Sequence, residues 1–106
     1  MSVKFMRMIL YFDLPVLTKV DRRNYRKFRT LILSEGFIMQ QESVYSKLLL
    51  NSTNVKLMKD KLVLAAPPKG LIELLVITEK QYHSIDMIVG SRANEYIDNI
   101  ERLIIL

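Results

Sequence analysis

Residues 5–13, FMRMILYFD, carry apolar side chains on both faces of a period-two pattern, and this restricts the fold more than any other stretch. Met6, Met8, Leu10 and Phe12 share one face. Arg7, Ile9, Tyr11 and Asp13 share the other, and Ile9 and Tyr11 keep that face from being a plain solvent face. A strand of this kind needs cover on both sides. Leu14-Pro15 ends it, because proline has no backbone N–H to give to a ladder.

The chain then changes period. Thr18 to Glu35 reads as a helix, with Thr18 as N-cap and Asp21 three residues on, near the positive end of the helix dipole. Tyr25, Phe28 and Ile32 form its core stripe, with Leu31 at the border, and Gly36 supplies a left-handed stop. Two strands follow, Phe37–Gln40 and Ser43–Leu49, read as a hairpin around the polar break Gln40-Gln41-Glu42. Asn51 and Ser52 can cap a second helix over Thr53–Ala66, whose buried stripe is Val55, Met58, Leu62 and Ala65. Pro67-Pro68 ends it. Lys69-Gly70 turns into a fourth strand, Leu71–Thr78, so apolar that a central place in the sheet is expected.

That order, β-α-β-β-α-β, predicts an α+β, ferredoxin-like fold: a four-stranded antiparallel sheet with both helices on one face. The other face is left bare, and a second copy of the chain is the simplest cover, giving a homodimer. Glu79–Ser84 reads as a short turn of helix, Ile85–Val89 as an apolar run and Gly90–Asn94 as a polar link. The segment 96–106 ends in Arg102-Leu-Ile-Ile-Leu106, an apolar C-terminal strand expected to pair across the dimer. All of residues 1–106 are expected in one domain, since a chain of this length seldom holds two. Half of it is apolar, enough for a core.

The chain has no cysteine, which excludes disulfides, thiolate metal sites and a thiol nucleophile. MSVKFMRM lacks the apolar core of a signal peptide, and no apolar run nears the ~20 residues of a membrane span. The expected location is the cytoplasm. Phosphate-loop, metalloprotease and serine-hydrolase signatures are missing. An RNA-recognition motif would need aromatics on the central strands, which Val44-Tyr45 and Leu71–Thr78 do not supply.

Two features carry chemistry. Asp13 ends a buried strand, where a carboxylate is costly unless it is paired, capped or bound to metal. It either caps the turn at Leu14–Val16 or holds a hard cation such as Mg²⁺. Mg²⁺ is served poorly by one carboxylate and better by two copies of Asp13 meeting on a two-fold axis. The second feature is the basic helix: Lys19, Arg22, Arg23, Arg26, Lys27 and Arg29 against Asp21 and Glu35. Most of the chain's net charge of +5 resides there. Arg22, Arg26 and Arg29 follow helical spacing, and arginine suits phosphate. The alternative is a solvated helix face, weakened by the scarcity of interleaved acids. Lys56, Lys59, Lys61 and Lys69 form a weaker patch that solubility alone explains. His83, the one histidine, has no carboxylate or serine partner evident in the sequence and is read as structural or surface.

MRMILYFDLP, YRKFRTLILSEGFIMQQESVYSKLL and KGLIELLVITEKQ, in this order over residues 6 to about 82, resemble the CRISPR-associated protein two family. FDLP and TEKQ are most similar to members from type II-A systems. The resemblance implies a ferredoxin-like homodimer whose C-terminal strands complete the partner's sheet. It implies that Asp13 is the family's strand-end aspartate, facing its symmetry mate to hold Mg²⁺. It also implies a place in spacer acquisition, as a scaffold bridging two dimers of the integrase subunit (CRISPR-associated protein one) and carrying double-stranded DNA on Lys19, Arg22, Arg23 and Arg26. The alternative it implies is a Mg²⁺-dependent endonuclease acting on single-stranded RNA or double-stranded DNA, with Asp13 as its catalytic residue. Many members have tyrosine just before the aspartate; here that residue is Phe12, and the tyrosine, Tyr11, falls on the opposite strand face.

Overall fold

The computed structural model describes residues 5–91. The C-terminal strand expected at 96–106, and its exchange between two copies, lie outside the described residues. Within them the elements run β1 (Met6–Asp13), α1 (Lys19–Ser34), β2 (Ile38–Gln41), β3 (Val44–Leu49), α2 (Ser52–Ala65), β4 (Leu71–Thr78) and α3 (Glu79–His83). The four strands form one sheet in the order β2-β3-β1-β4, with every neighbouring pair antiparallel. This is the ferredoxin-like arrangement expected from the periodicity.

β1 is an inner strand, beside β3, and its two faces have different cover. Met8, Leu10 and Phe12 point into a core shared with Phe28 and Ile32 of α1 and Met58 and Leu62 of α2. Three aromatic rings surround Phe12: Tyr45 stacked at 5.3 Å, and Phe28 and Tyr25 edge-on at 5.4 and 6.1 Å. Val55 and Tyr25 pack against this core as expected, whereas Ala65 is exposed because it lies in the last, departing turn of α2.

α1 begins as its sequence dictates. The Thr18 hydroxyl accepts from the Asp21 amide at 3.0 Å, and the Asp21 carboxylate accepts from the Thr18 amide at 3.2 Å, a reciprocal capping box. Its last turn holds no basic residue. Lys47 from β3 donates to the Glu35 carbonyl, and Lys61 from α2 lies 3.0 Å from the Glu35 carboxylate. Other elements therefore supply the positive charge that a helix C-terminus favours. Lys61 is thus occupied and leaves the lysine patch, where Lys56 and Lys59 remain exposed. Gly36 follows with φ +94°, the expected left-handed stop.

Three expectations are corrected. β4 is an edge strand of the described sheet, because β3 and β1 take its two inner places. Its largely apolar character comes from having a core on one face and an open, mostly apolar surface on the other, where Leu71 and Leu75 are exposed. The hairpin turn is Glu42-Ser43, one step later than the glutamine-rich break suggested. Ser43 turns at φ +65°, and a bulge between Met39 and Gln41 absorbs the polar residues into β2.

The third correction concerns the sheet face away from α1 and α2, which is not wholly bare. α3 lies across its β1 start. Tyr82 is buried there, the Arg7 guanidinium sits 4.2 Å from the centre of its ring, and Glu79 accepts from Arg7. Thr78 and Gln81 of the TEKQ segment form a second capping box that launches this helix. His83 has a carboxylate partner after all: its Nε2 is 2.9 Å from Glu79 Oε1, one helical turn earlier. The open surface is therefore confined to the other half of this face, around Tyr11, Asp13, Leu71, Glu73 and Leu75.

Candidate metal and nucleic-acid site

Asp13 is the last residue of β1 and is exposed on the open sheet face. Its backbone is well fixed. Phe12, before it, is locked among three rings and donates its amide to the Ser43 carbonyl at 3.1 Å. Leu14, after it, is buried. The carboxylate itself has no hydrogen-bond or ion-pair partner among the described residues, so the expected alternative, a cap on the Leu14–Val16 turn, is not formed. The turn is held instead by Arg22, whose Nη1 donates to the carbonyls of Val16 and Leu17, each at 3.1 Å.

Strand register brings a second carboxylate beside the first. Tyr11 pairs with Glu73 across β1 and β4, and Asp13 pairs with Leu71. Directly opposed residues share a face, as do residues two apart, so Tyr11, Asp13 and Glu73 stand together on the open side. They border a shallow depression of about 180 Å³ with Val44 and Leu71. Glu73 escaped the sequence reading. Its signal was there, as the one charge in LIELLVIT, but only the strand register shows which residue it accompanies.

This donor set can be tested against a hard divalent cation. Carboxylate oxygens on an exposed surface suit Mg²⁺, which keeps several waters and takes only one or two carboxylates. Among the described residues no group of three or more His, Asp or Glu side chains could enclose an ion. The residues therefore fit an open, water-rich site, to be completed from outside the chain by a second copy or by phosphate oxygens. They do not fit a closed cage.

Phe12 bears on this site only through packing. Its side chain enters the core while Tyr11 flanks Asp13, so a tyrosine in place of Phe12 would put its hydroxyl among the helices and away from the carboxylate. The phenol that does occupy that interior is Tyr45, whose hydroxyl accepts from Arg29 Nε at 3.1 Å.

Five of the six basic residues of α1 divide into two groups. Arg22 and Arg29 are tied back to the body of the protein, one to the loop after β1 and the other to Tyr45. Lys19, Arg23 and Arg26 are exposed and engage no described acid. With Thr30 they lie opposite the Phe28–Ile32 stripe by helical period, on the outermost face of α1. Arg22, Arg26 and Arg29, expected as a single stripe, are thus divided between an outward-facing group of cations and a pair of braces. Asp13 lies just before the start of this helix, on a different face of the sheet layer from the outward cations.

Comparison with known proteins agrees with this architecture. A family model described as CRISPR associated protein Cas2 matches residues 6–85. A protein of Treponema denticola named CRISPR-associated endoribonuclease Cas2 is 48% identical over 101 residues, covering 95% of this chain and all of that one. A Streptococcus mutans protein of the same name is also 48% identical over 101 residues, covering 95% of this chain and 93% of that one. A solved structure titled "Crystal structure of cas2" superposes with a TM-score of 0.59 at 17% identity, covering 84% of this chain and 91% of its own, and it supports the fold. Among the described residues no helix is long and apolar enough to cross a membrane.

Proposed function

The chain belongs to the CRISPR associated protein Cas2 family, and from that premise we propose that it is a nucleic-acid-binding scaffold of CRISPR spacer acquisition, working as a homodimer. The observation that carries this reading is the outward face of α1. Lys19, Arg23 and Arg26 stand clear of any described acid, so they can meet a phosphate backbone without first breaking an internal ion pair. Recognition of this kind is insensitive to base sequence and sensitive to salt. The partners of the reading are double-stranded DNA, a second copy of the chain through the open sheet face, and the integrase subunit that the dimer would bridge. Arg22 has a double role in it, because a guanidinium has five N–H donors and only Nη1 is committed to the loop.

A second reading is favoured by a separate observation, the partner-free Asp13 with Glu73 beside it. In this reading the chain is a metal-dependent endonuclease, and its relatives are named as endoribonucleases. Two Asp13 carboxylates, one from each copy, would hold Mg²⁺. When bound, the ion supplies charge neutralisation at a phosphate and a more acidic water. Asp13 contributes oxygen ligands. Tyr11 and Leu71 flank it on the same open face, and Glu73 is close enough in register to orient a water. No general acid is apparent among the described residues near Asp13, since His83 belongs to the α3 end of the face, bound to Glu79.

Asp13→Asn separates the two readings when assayed for spacer integration, for duplex binding and for cleavage of single-stranded RNA and double-stranded DNA. Under the scaffold reading integration and duplex binding persist at the unaltered level. Loss of integration with duplex binding and assembly intact would overturn it in favour of the metal-dependent one.

A further inference from the structure

Asp13 has an unusual dependence on its backbone. Its carboxylate is held by no described side chain or amide, so only the path of the main chain sets where its oxygens stand. On the N-terminal side that path is secured by Phe12. On the C-terminal side the chain leaves the sheet at Leu14 and has no further ladder to hold it.

Two contacts from distant positions take over there. The first is Gly70, in the turn between α2 and β4. Its φ is +102°, and a Cβ built on it would lie 2.7 Å from Leu14 Cδ2, 2.8 Å from the Asp13 carbonyl oxygen and 3.1 Å from Leu14 Cα. Two of those three atoms are backbone and cannot swing aside. The missing side chain is what lets the turn close over Asp13-Leu14. The second is Arg22, whose Nη1 bridges the Val16 and Leu17 carbonyls and fastens the loop to the first turn of α1.

We propose that Gly70 and Arg22 are positioning residues for the Asp13 carboxylate, one holding the chain at Asp13-Leu14 and the other at Val16-Leu17, so that its oxygens can serve a small divalent cation. This rests on the metal reading of Asp13. The magnitude of the effect follows from the ion. Mg²⁺ requires near-octahedral oxygens at about 2.0–2.1 Å, whereas Ca²⁺ accepts a loose shell at about 2.3–2.6 Å. A small shift of Asp13 therefore penalises Mg²⁺ more than Ca²⁺. In a site shared by two copies the shift occurs twice. Alteration of groups that orient a metal ligand typically costs about 10–100-fold in affinity.

Gly36 provides an internal control. It has nearly the same left-handed backbone, φ +94°, but a Cβ there would meet only the flexible tip of Lys47, at 3.6 Å. Gly36→Ala and Gly70→Ala therefore carry similar backbone strain, and only the second crowds Asp13.

The experiment is calorimetric titration of the intact chain with MgCl₂ and CaCl₂, without nucleic acid, so that any role of Arg22 in phosphate contact is silent. Thermal melting is followed in parallel. The expected result is that Asp13→Asn abolishes Mg²⁺ binding, while Gly70→Ala and Arg22→Gln weaken it about tenfold or more. Ca²⁺ affinity should change less, and Gly36→Ala should lower the melting temperature without altering Mg²⁺ affinity. Mg²⁺ binding by Gly70→Ala and Arg22→Gln at the unaltered level overturns the positioning role and leaves the metal reading standing. Equal weakening by Gly36→Ala overturns it as well, since the effect would then be general instability. Should Gly70→Ala fail to fold, Arg22→Gln decides alone. Failure of the unaltered chain to bind Mg²⁺, or equal binding by Asp13→Asn, overturns the metal reading itself and this inference with it.

Discussion

Arg7 and Glu79, 72 residues apart in the chain, form a two-pronged ion pair: Nε to Oε2 at 2.9 Å and Nη2 to Oε1 at 2.5 Å. The pair joins the start of an inner strand to the helix that follows the last one. Arg7 also lies over the Tyr82 ring, Tyr82 donates its hydroxyl to Gln40 at the end of β2, and His83 returns to Glu79. One buried guanidinium thereby decides which half of the sheet face α3 covers and which half stays open. The open half contains Asp13. Ser46, wholly buried under the covered half, keeps a hydroxyl with no hydrogen-bond partner, a local cost that the surrounding contacts outweigh.

Glu79→Gln is expected to destabilise the chain by about 2–3 kcal/mol, because it leaves a buried guanidinium without its charge partner. Arg7→Met combined with Glu79→Leu should recover most of that loss, since no uncompensated charge then remains. Urea unfolding midpoints give both values. Hydrogen exchange should show faster amides in 79–83 for Glu79→Gln and little change in β3. A Glu79→Gln protein as stable as the parent would mean that packing of Tyr82 alone holds α3.

Period and punctuation made the fold legible. FMRMILYFD showed a strand needing cover on both sides because both its faces are apolar. Thr18 with Asp21 marked the start of a helix, and Gly36 marked its end. The same reasoning misplaced β4, because an apolar run looks alike whether it lies between two strands or at an edge with a greasy open face. The sequence reading leaves His83 without a partner although it also makes Glu79–Ser84 a turn of helix, in which Glu79 stands one turn before His83. At the candidate site, Asp13 and the basic character of α1 were visible in the sequence. Glu73 was not, because its place beside Tyr11 depends on a long-range register, and neither was the retention of Arg22 and Arg29 by internal acceptors.

The division of the α1 arginines leads to a charge-reversal test. Arg23→Glu with Arg26→Glu should weaken duplex binding strongly at low salt. If each residue meets one phosphate, the slope of log affinity against log salt should become shallower by about 2 for each copy that touches the duplex, about 4 for a dimer. Stability should change little, since neither side chain has a described partner. Arg29→Gln should instead lower stability by about 1 kcal/mol through the lost bond to Tyr45, with a smaller effect on binding. Filter binding across a salt series and thermal melting separate the two. Unchanged duplex binding by the double variant at low salt would remove α1 as the contact surface.

Thr18→Ala tests the capping box at the head of that helix. The substitution removes the hydroxyl that accepts from the Asp21 amide but keeps the backbone N–H that donates to the Asp21 carboxylate, and the loss should be about 1 kcal/mol. The consequence should extend beyond stability, because the first turn presents Lys19 and anchors Arg22. Duplex affinity should fall modestly, whereas Thr18→Ser, which keeps the hydroxyl, should restore both melting temperature and affinity. A drop in stability with affinity unmoved would show that the first turn does not contribute to binding.

The open half of the sheet face yields the last prediction. Tyr11 is 36% exposed and Leu75 47%, and Leu71 is bare beside them. A groove of about 440 Å³ runs from Ile9, Tyr11 and Val44 toward Tyr82, Ile85 and Ile88, continuing the apolar surface past α3. Contiguous apolar surface of this kind is seldom left to water, and an isologous contact would bring two such faces together. Leu75→Arg places a charge at the centre of the face, where each copy would present it to the other. It should convert a dimer into a monomer in light scattering without unfolding it, because the side chain already reaches solvent in a single chain. If two Asp13 residues share one ion, the same variant should lose Mg²⁺ binding although its own Asp13 environment is untouched. A Leu75→Arg protein that remained dimeric and bound Mg²⁺ normally would place the contact between copies elsewhere on the molecule.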